Sequence, residues 1–374
     1  MKSIGIICEY NPFHNGHLYH LNKVKELYPD YTIILVMSGQ FLQRGDVSVI
    51  NKWDKTDIAL EMGIDLVIEL PFVFATQSSD VFALGSVSIL NYLGVEKIVF
   101  GSECNDINKL KKCADDFNSV ENFIKIKEDL NKGYSYPYVL GKILGIPVEN
   151  SNDLLGISYI KTIKYLDSNI EPVCIQRTNS YNNKETTGSV SSATSIRENI
   201  KEDKPINEFI PEYVEKYINK IFIDDYFDLL KYKIISSKNL SIYQTVDEGI
   251  ENRIKKYIFE VNSLEELIDK VKTKRYTYNR IKRMFVHILC SFTKEEAERC
   301  KKIRYIRVLG FNNKGRNYLS KVKKEIEIPI ITNYSDIKDE MLDIEFRVNS
   351  IYSSIFKEKN YLSKLEYKHK PVIK

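Results

Sequence analysis

Ile4-Gly5-Ile6-Ile7-Cys8, then Glu9-Tyr10-Asn11-Pro12-Phe13, then His14-Asn15-Gly16-His17-Leu18-Tyr19-His20, is the stretch that decides the fold. The opening run is rich in β-branched residues and too short for a core helix, so it reads as a buried strand. Leu18, Leu21, Val24 and Leu27 then recur at helical spacing, which starts a helix near Gly16. Between them Asn11-Pro12-Phe13 forces a tight loop. Two histidines therefore fall where a strand ends and a helix begins, the place where open α/β sheets hold ligands. The free N–H groups of such a helix start, carrying roughly half a positive charge, favour an anion such as phosphate. Gly16 removes the Cβ that would keep backbone and phosphate apart.

Working outward, apolar runs at 4–8, 33–37, 66–69, 98–101 and 172–175 alternate with helical stretches such as 52–62 and 79–93. That alternation predicts an α/β fold, a Rossmann-like, doubly wound parallel sheet. A lysine-dotted helical stretch near 107–132, followed by Tyr134-Ser135-Tyr136-Pro137-Tyr138, reads as an insertion near the site. From about residue 205 the period becomes helical, as in Ile254, Tyr257 and Ile258 and again in Ile281, Phe285, Ile288 and Leu289. Short α/β pieces follow near 303–309 and 328–331. The expected organisation is an α/β domain over 1–204 and a mostly α-helical, basic domain over 205–374.

The formal net charge of +4 over 374 residues hides an asymmetry. Residues 1–200 hold 19 Lys and Arg against 24 Asp and Glu, whereas residues 201–374 hold 36 against 27. An acidic half joined to a basic one suits a second half that grips a polyanion. Cys8, Cys104, Cys113, Cys174, Cys290 and Cys300 show no paired spacing suited to zinc, which fits reduced thiols. Met1-Lys2-Ser3 leads straight into the first strand, and no apolar run approaches membrane-spanning length. These features predict a soluble, cytoplasmic protein without a signal peptide, a membrane partner or a protein-held metal.

A second motif, Ser191-Ser192-Ala193-Thr194-Ser195-Ile196-Arg197, closes the first half. Ser and Thr cap a helix start and offer hydroxyls to phosphate, while Arg197 can clamp phosphate oxygens. The pair of motifs resembles the signature of the nucleotidyltransferase superfamily with the His-x-Gly-His motif. The flanking text is more specific. Residues 8–20, Met37-Ser38-Gly39-Gln40-Phe41-Leu42-Gln43-Arg44-Gly45-Asp46 and Leu66-Val67-Ile68-Glu69-Leu70-Pro71-Phe72 resemble the bacterial tRNA(Met) cytidine acetate ligase family. The similarity continues through Gly101-Ser102-Glu103, Asn152-Asp153-Leu154-Leu155-Gly156, Lys272-Thr273-Lys274-Arg275-Tyr276-Thr277 and Arg307-Val308-Leu309-Gly310-Phe311.

The resemblance implies a ligase that activates acetate with ATP and acetylates N4 of the wobble cytidine of elongator methionine tRNA, with no DNA partner. His14 and His17 become the candidate catalytic residues, as imidazolium donors to the α- and β-phosphates while pyrophosphate leaves. The candidate ATP site comprises Ile7, Cys8, Glu9, Tyr10, Asn11, Pro12, Phe13, His14, Asn15, Gly16, His17, Leu18, Tyr19 and His20. Gly101, Asn152, Arg177, Thr178, Ser192, Thr194 and Arg197 complete it. Mg²⁺ travels with ATP, held mainly by the phosphates. Glu9, Asp46 and Glu69 have no assigned role, because acetate is already ionised and needs no general base.

Lys270 to Arg283 carries seven Lys and Arg and no acid. Lys272, Lys274, Arg275, Tyr276, Arg280 and Arg283 are the candidate tRNA-binding residues, basic groups for phosphates beside a ring for stacking. Lys301, Lys302, Arg304 and Arg307 would extend that surface. Two rival readings remain: a nucleotidyltransferase that adenylylates a small phosphorylated acceptor, and an RNA-binding protein that keeps ATP as a structural ligand.

Overall fold

The computed structural model describes residues 2–117, 120–134, 136–147, 150–177, 191–356 and 366–374. Five parallel strands carry the first half: β1 (Ser3–Cys8), β2 (Thr32–Ser38), β3 (Leu66–Leu70), β4 (Lys97–Ser102) and β5 (Glu171–Gln176). They lie in the order β5-β4-β1-β2-β3. The helices between and after them are α1 (Asn15–Leu27), α2 (Lys52–Glu61), α3 (Ser79–Tyr92), α4 (Ser151–Tyr165) and α5 (Ala193–Lys201). The expected insertion forms three helices, Ile107–Phe117, Val120–Asn131 and Tyr136–Leu144.

Period-two alternation sorts the strand side chains into two cores. Ile34, Val36, Leu66, Ile68, Ile98 and Phe100 face one, filled by Phe82 and Leu90 of α3 and Ile157 and Ile160 of α4. Ile4, Ile6, Ile33, Leu35, Met37, Val67, Val99 and Ile175 face the other, under Leu21 of α1, Ile58 of α2 and Ile196 of α5. A sheet covered on both faces is what a doubly wound fold requires. From β1 the chain winds outward through β2 and β3, then returns to place β4 on the opposite edge of β1. The strand order thus reverses between β1 and β4, which opens a crevice at their carboxyl ends.

The second half is mostly helical, as expected, including α6 (Tyr278–Leu289) and α7 (Glu340–Ser353). It also extends the sheet. The expected short pieces form β6 (Ile306–Phe311) and β7 (Ile330–Ile331), and β8 (Val372–Ile373) joins them. β6 pairs with β3 in the antiparallel sense, Leu66 opposite Phe311, so the eight-stranded sheet is mixed rather than all parallel. A free β3 edge would expose unpaired N–H and C=O groups, and β6 covers it. The change of sequence character near residue 205 therefore separates two stretches of chain within one continuous sheet.

Buried charges weld the join. Lys52 of α2 donates to Glu69 of β3 at 2.5 Å and pairs with Glu366 at 2.8 Å. Arg307 of β6 donates to Glu69 at 3.1 Å and also pairs with Glu366. All four side chains are fully buried, so each cation is matched by a carboxylate where an unmatched charge would cost several kcal/mol, about 3–5 by analogy with other proteins. This location corrects the expectation that Arg307 lies on an RNA-binding surface. Among the described residues no helix is long and apolar enough to cross a membrane.

Candidate active site

The loop from Glu9 to Phe13 turns sharply, with Tyr10 at φ +48° and a cis bond between Asn11 and Pro12. Its shape is held from below. Asn11 donates to the carbonyl of Val47 at 3.3 Å and accepts from the N–H of Val49 at 2.9 Å. Asn15 donates its side chain to the carbonyl of Glu208 at 2.9 Å and its backbone N–H to that of Phe209 at 2.9 Å. Tyr10 and Phe13 are buried in the core. These four residues anchor the loop and hold the two motif histidines, themselves largely buried, at the start of α1.

His14 is the N-cap of α1. Its Nδ1 accepts the N–H of Gly16 at 3.0 Å, and the Nδ1 of His17 accepts the N–H of His14 at 3.3 Å. The two rings stack, with 3.7 Å between centroids, and the ring of Tyr10 meets His17 edge-on at 4.9 Å. A ring whose Nδ1 accepts a backbone N–H holds its single neutral-state proton on Nε2. Burial, then the charges of Arg177 and Arg197, pull the His14 imidazole down to about 3. Burial also holds His17 well below the ordinary histidine value. In the free site, burial and these backbone contacts thus favour two neutral rings that carry their protons on Nε2, against the expected imidazolium pair. The physical reason is that neither Nδ1 can be protonated without losing its backbone donor.

His20, one turn along α1, is held down to about 4 by burial and Arg177, and its Nε2 has no hydrogen-bond partner among the described residues. Arg177 follows β5 and donates its backbone N–H to the carbonyl of Ser102 at 2.9 Å. Its side chain crosses Gly101, where an added Cβ would come within 3.1 Å of the Arg177 Cγ. Gly101 thus lets Arg177 reach across β4 toward the histidines. Arg197 donates to the carbonyl of Asn11 at 2.9 Å and to the hydroxyl of Thr194 at 3.3 Å. Ser192 caps α5 by accepting the N–H of Ser195 at 3.1 Å. The Ser/Thr turn and the histidine loop, 186 residues apart at this hydrogen bond, are thereby tied together.

Asn152 is placed differently. Its side-chain amide donates to Glu103 at 2.5 Å, and Glu103 also accepts the N–H of Asp153 at 2.9 Å at the start of α4. Asp153 in turn accepts the hydroxyl of Ser102 at 2.5 Å and the N–H groups of Glu103 and Cys104. This interlock, which sequence reasoning missed, fixes the carboxyl end of β4. Ile7 and Cys8 end β1, Leu18 packs on the core beneath α1, and Tyr19 is half-buried beside it. Thr178 lies outside the described residues.

A buried lysine, also missed, underlies the loop. Lys55 donates to the carbonyls of Glu9 at 3.0 Å, Ser38 at 2.8 Å and Gly39 at 2.9 Å, joining the carboxyl ends of β1 and β2. One of two lysines in the first turns of α2, Lys55 carries no sequence sign of such a role.

The basic segment runs from the end of helix Leu264–Val271 into α6. Lys272, Lys274 and Arg275 are exposed, and Arg275 pairs with Glu248 at 3.1 Å. Tyr276 is buried, its hydroxyl donating to the carbonyl of Asp247 at 2.7 Å, with the Arg280 guanidinium 4.0 Å over its ring. The ring therefore supports Arg280 rather than standing open for a base. Arg283 reaches the carbonyl of Gln43 at 3.5 Å. Arg304 is tied to Asp339 at 3.2 Å.

A Rossmann-like sheet with paired histidines at the first helix start and a Ser/Thr–Arg turn facing them defines a nucleotidyl transferase. The chain belongs to the HIGH nucleotidyl transferase family, whose sequence profile matches residues 1–367. Its relatives are more particular. It is 41% identical to the tRNA(Met) cytidine acetate ligase of Caldicellulosiruptor bescii, across 100% of this chain and 98% of that protein. It is 38% identical to the tRNA(Met) cytidine acetate ligase of Fusobacterium nucleatum, across 99% and 98%. The crystal structure of apo Thermotoga maritima TmcAL matches with a TM-score of 0.89 at 33% identity, covering 100% of this chain and 99% of that one. The same protein bound with alpha-thio ATP matches equally well.

Proposed function

We propose that this chain is an ATP-dependent tRNA cytidine acetate ligase, acting on the wobble cytidine of elongator methionine tRNA. The observation that carries the reading is the likeness to these ligases across both halves of the chain, at 41% identity. A transferase for small phosphorylated acceptors would need only the first-half motifs.

ATP lies at the β1/β4 crevice with its triphosphate at the start of α1. An oxygen of acetate attacks the α-phosphorus, the bond to the bridging oxygen breaks, and pyrophosphate leaves with the electron pair. The Nε2–H groups of His14 and His17 donate to the oxygens where charge grows, with Arg177 and Arg197 as fixed cations, so little reorganisation is needed as the bond breaks. The product is acetyl-adenylate. The cytidine N4, whose lone pair is delocalised into its ring, then attacks this activated carbonyl. N4 loses a proton, the bond to the AMP oxygen breaks, and the amide forms. Delivery of that base requires a loop nucleotide turned out of its stack.

Mg²⁺ arriving with ATP fits as an ion held by the phosphates. Glu103 is committed to α4, and Asp46 pairs with Lys282. Glu9 accepts the N–H of Gln43 at 2.7 Å. Bound there, the ion would offset phosphate charge.

Labelled acetate, ATP and bulk tRNA test the reading. Label in tRNA cytidine, with AMP and pyrophosphate formed in equal amounts, is the expected result. Label that never reaches tRNA, or AMP transferred to a small acceptor, overturns it.

A further inference from the structure

We propose that Arg44, Arg280 and Arg283 form a phosphate clamp for the single-stranded RNA backbone that leads into the crevice. The inference rests on the reading of the chain as a tRNA ligase and adds the surface that presents the loop. Arg44 was not singled out by the sequence. It is exposed on the loop after β2, and donates to the Ser151 hydroxyl at 3.1 Å.

The loop that carries Arg44 is seated directly on α6. Gly45 has φ +78°, and a Cβ there would lie 2.4 Å from the backbone nitrogen of Arg283. Asp46 pairs with Lys282, and Arg283 donates to the carbonyl of Gln43. This docking brings the loop that carries Arg44 against the helix that carries Arg280 and Arg283. Burial, then the charges of Arg280 and Arg44, pull Arg283 down to about 10.

On the same segment Lys282 is neutralised by Asp46 and Arg275 by Glu248. Among the described residues no carboxylate lies within ion-pair distance of Arg44, Arg280 or Arg283. Holding like charges together without a counter-charge opposes folding, and local rules broken in this way mark sites of function. Guanidinium groups meet phosphate oxygens in a bidentate fork. The path to the site is short in bonds. Gln43 donates to Glu9, the residue at the base of the histidine loop, and Asp46 lies 3.9 Å from Arg197.

The test is binding of an unmodified elongator methionine tRNA transcript across a salt series, for the wild type, R44Q/R283Q and R44K/R283K. Loss of two phosphate contacts should lower the slope of log K against log salt by about 1.4, at roughly 0.7 per single-strand phosphate. The lysine pair should keep the wild-type slope, and ATP affinity should be the same in all three. An unchanged slope in the glutamine pair overturns the clamp. Should that pair fail to fold, R44Q alone alters an exposed side chain and should lower the slope by about 0.7; no change there is equally fatal. If the wild type binds ATP yet neither binds nor acetylates tRNA, the ligase reading itself fails. If it acetylates tRNA and R44Q/R283Q matches it in every respect, only the clamp fails.

Discussion

His14 and His17 stack with 3.7 Å between ring centroids, and each presents its Nδ1 to a backbone N–H rather than to the crevice. The motif spacing produces this arrangement. His14 caps the helix that His17 belongs to, and the residue at the third helical position reaches back to the cap. What remains on each ring for a ligand is one Nε2–H.

Both rings should therefore be neutral Nε2–H tautomers at pH 7. Nitrogen-15 chemical shifts of the histidine rings check this. The affinity for ATP should then stay flat from pH 7.0 to 8.5. A clamp made of imidazolium would instead weaken by about tenfold per titrating group for each pH unit above its pKa.

Acid should destabilise the fold earlier than carboxylate chemistry alone would. Burial holds His14 near 3 and His20 and His287 near 4, against an ordinary value of 6.5. Below about pH 6.5 the unfolded chain takes up protons that the folded chain refuses, so stability falls as pH falls. Each such histidine removes about 1.4 kcal/mol per pH unit once its unfolded form is fully protonated. Urea midpoints measured between pH 7 and 5 should decline, and H287N, which removes one of the groups, should flatten the decline.

Gly45 has no tolerated replacement. Its φ of +78° strains any side chain, and a Cβ would collide with the α6 backbone at 2.4 Å. G45A should cost about 2 kcal/mol of stability, read by urea unfolding, and should raise the Kd for tRNA more than that for ATP.

The Lys52–Glu69–Arg307–Glu366 cluster should behave as a unit. R307M leaves Glu69 and Glu366 sharing Lys52 in a dry interior, and should cost about 3–5 kcal/mol. R307M/E366Q removes one charge of each sign and should cost less than R307M alone, again by urea unfolding.

The strand–helix rhythm of the first half was legible because buried parallel strands are short continuous apolar runs, and each expected strand is found. Strand order and direction leave no such mark, so the antiparallel entry of β6 beside β3 was not readable from Arg307 to Phe311. The same holds for Arg307, which reads as one more basic residue until its two carboxylate partners are placed. At the site, His14, His17 and Arg197 stood out because their spacing carries a mechanism. Lys55, Glu103 and Asp153 did not, since each acts through backbone groups that only folding brings near. The window of 7–20 also mixed two roles: Asn11 and Asn15 hold the loop, while His14 and His17 stack on one another at the start of α1.

The central claim is that this histidine pair serves the activation of acetate by ATP. Acetate-dependent pyrophosphate release, with tRNA present, measured for the wild type and H17A, tests it most directly. The account predicts release that requires acetate, is accompanied by acetylcytidine in the tRNA, and falls by about 10²–10³ in H17A. Release that is indifferent to acetate, or undiminished in H17A, would contradict it.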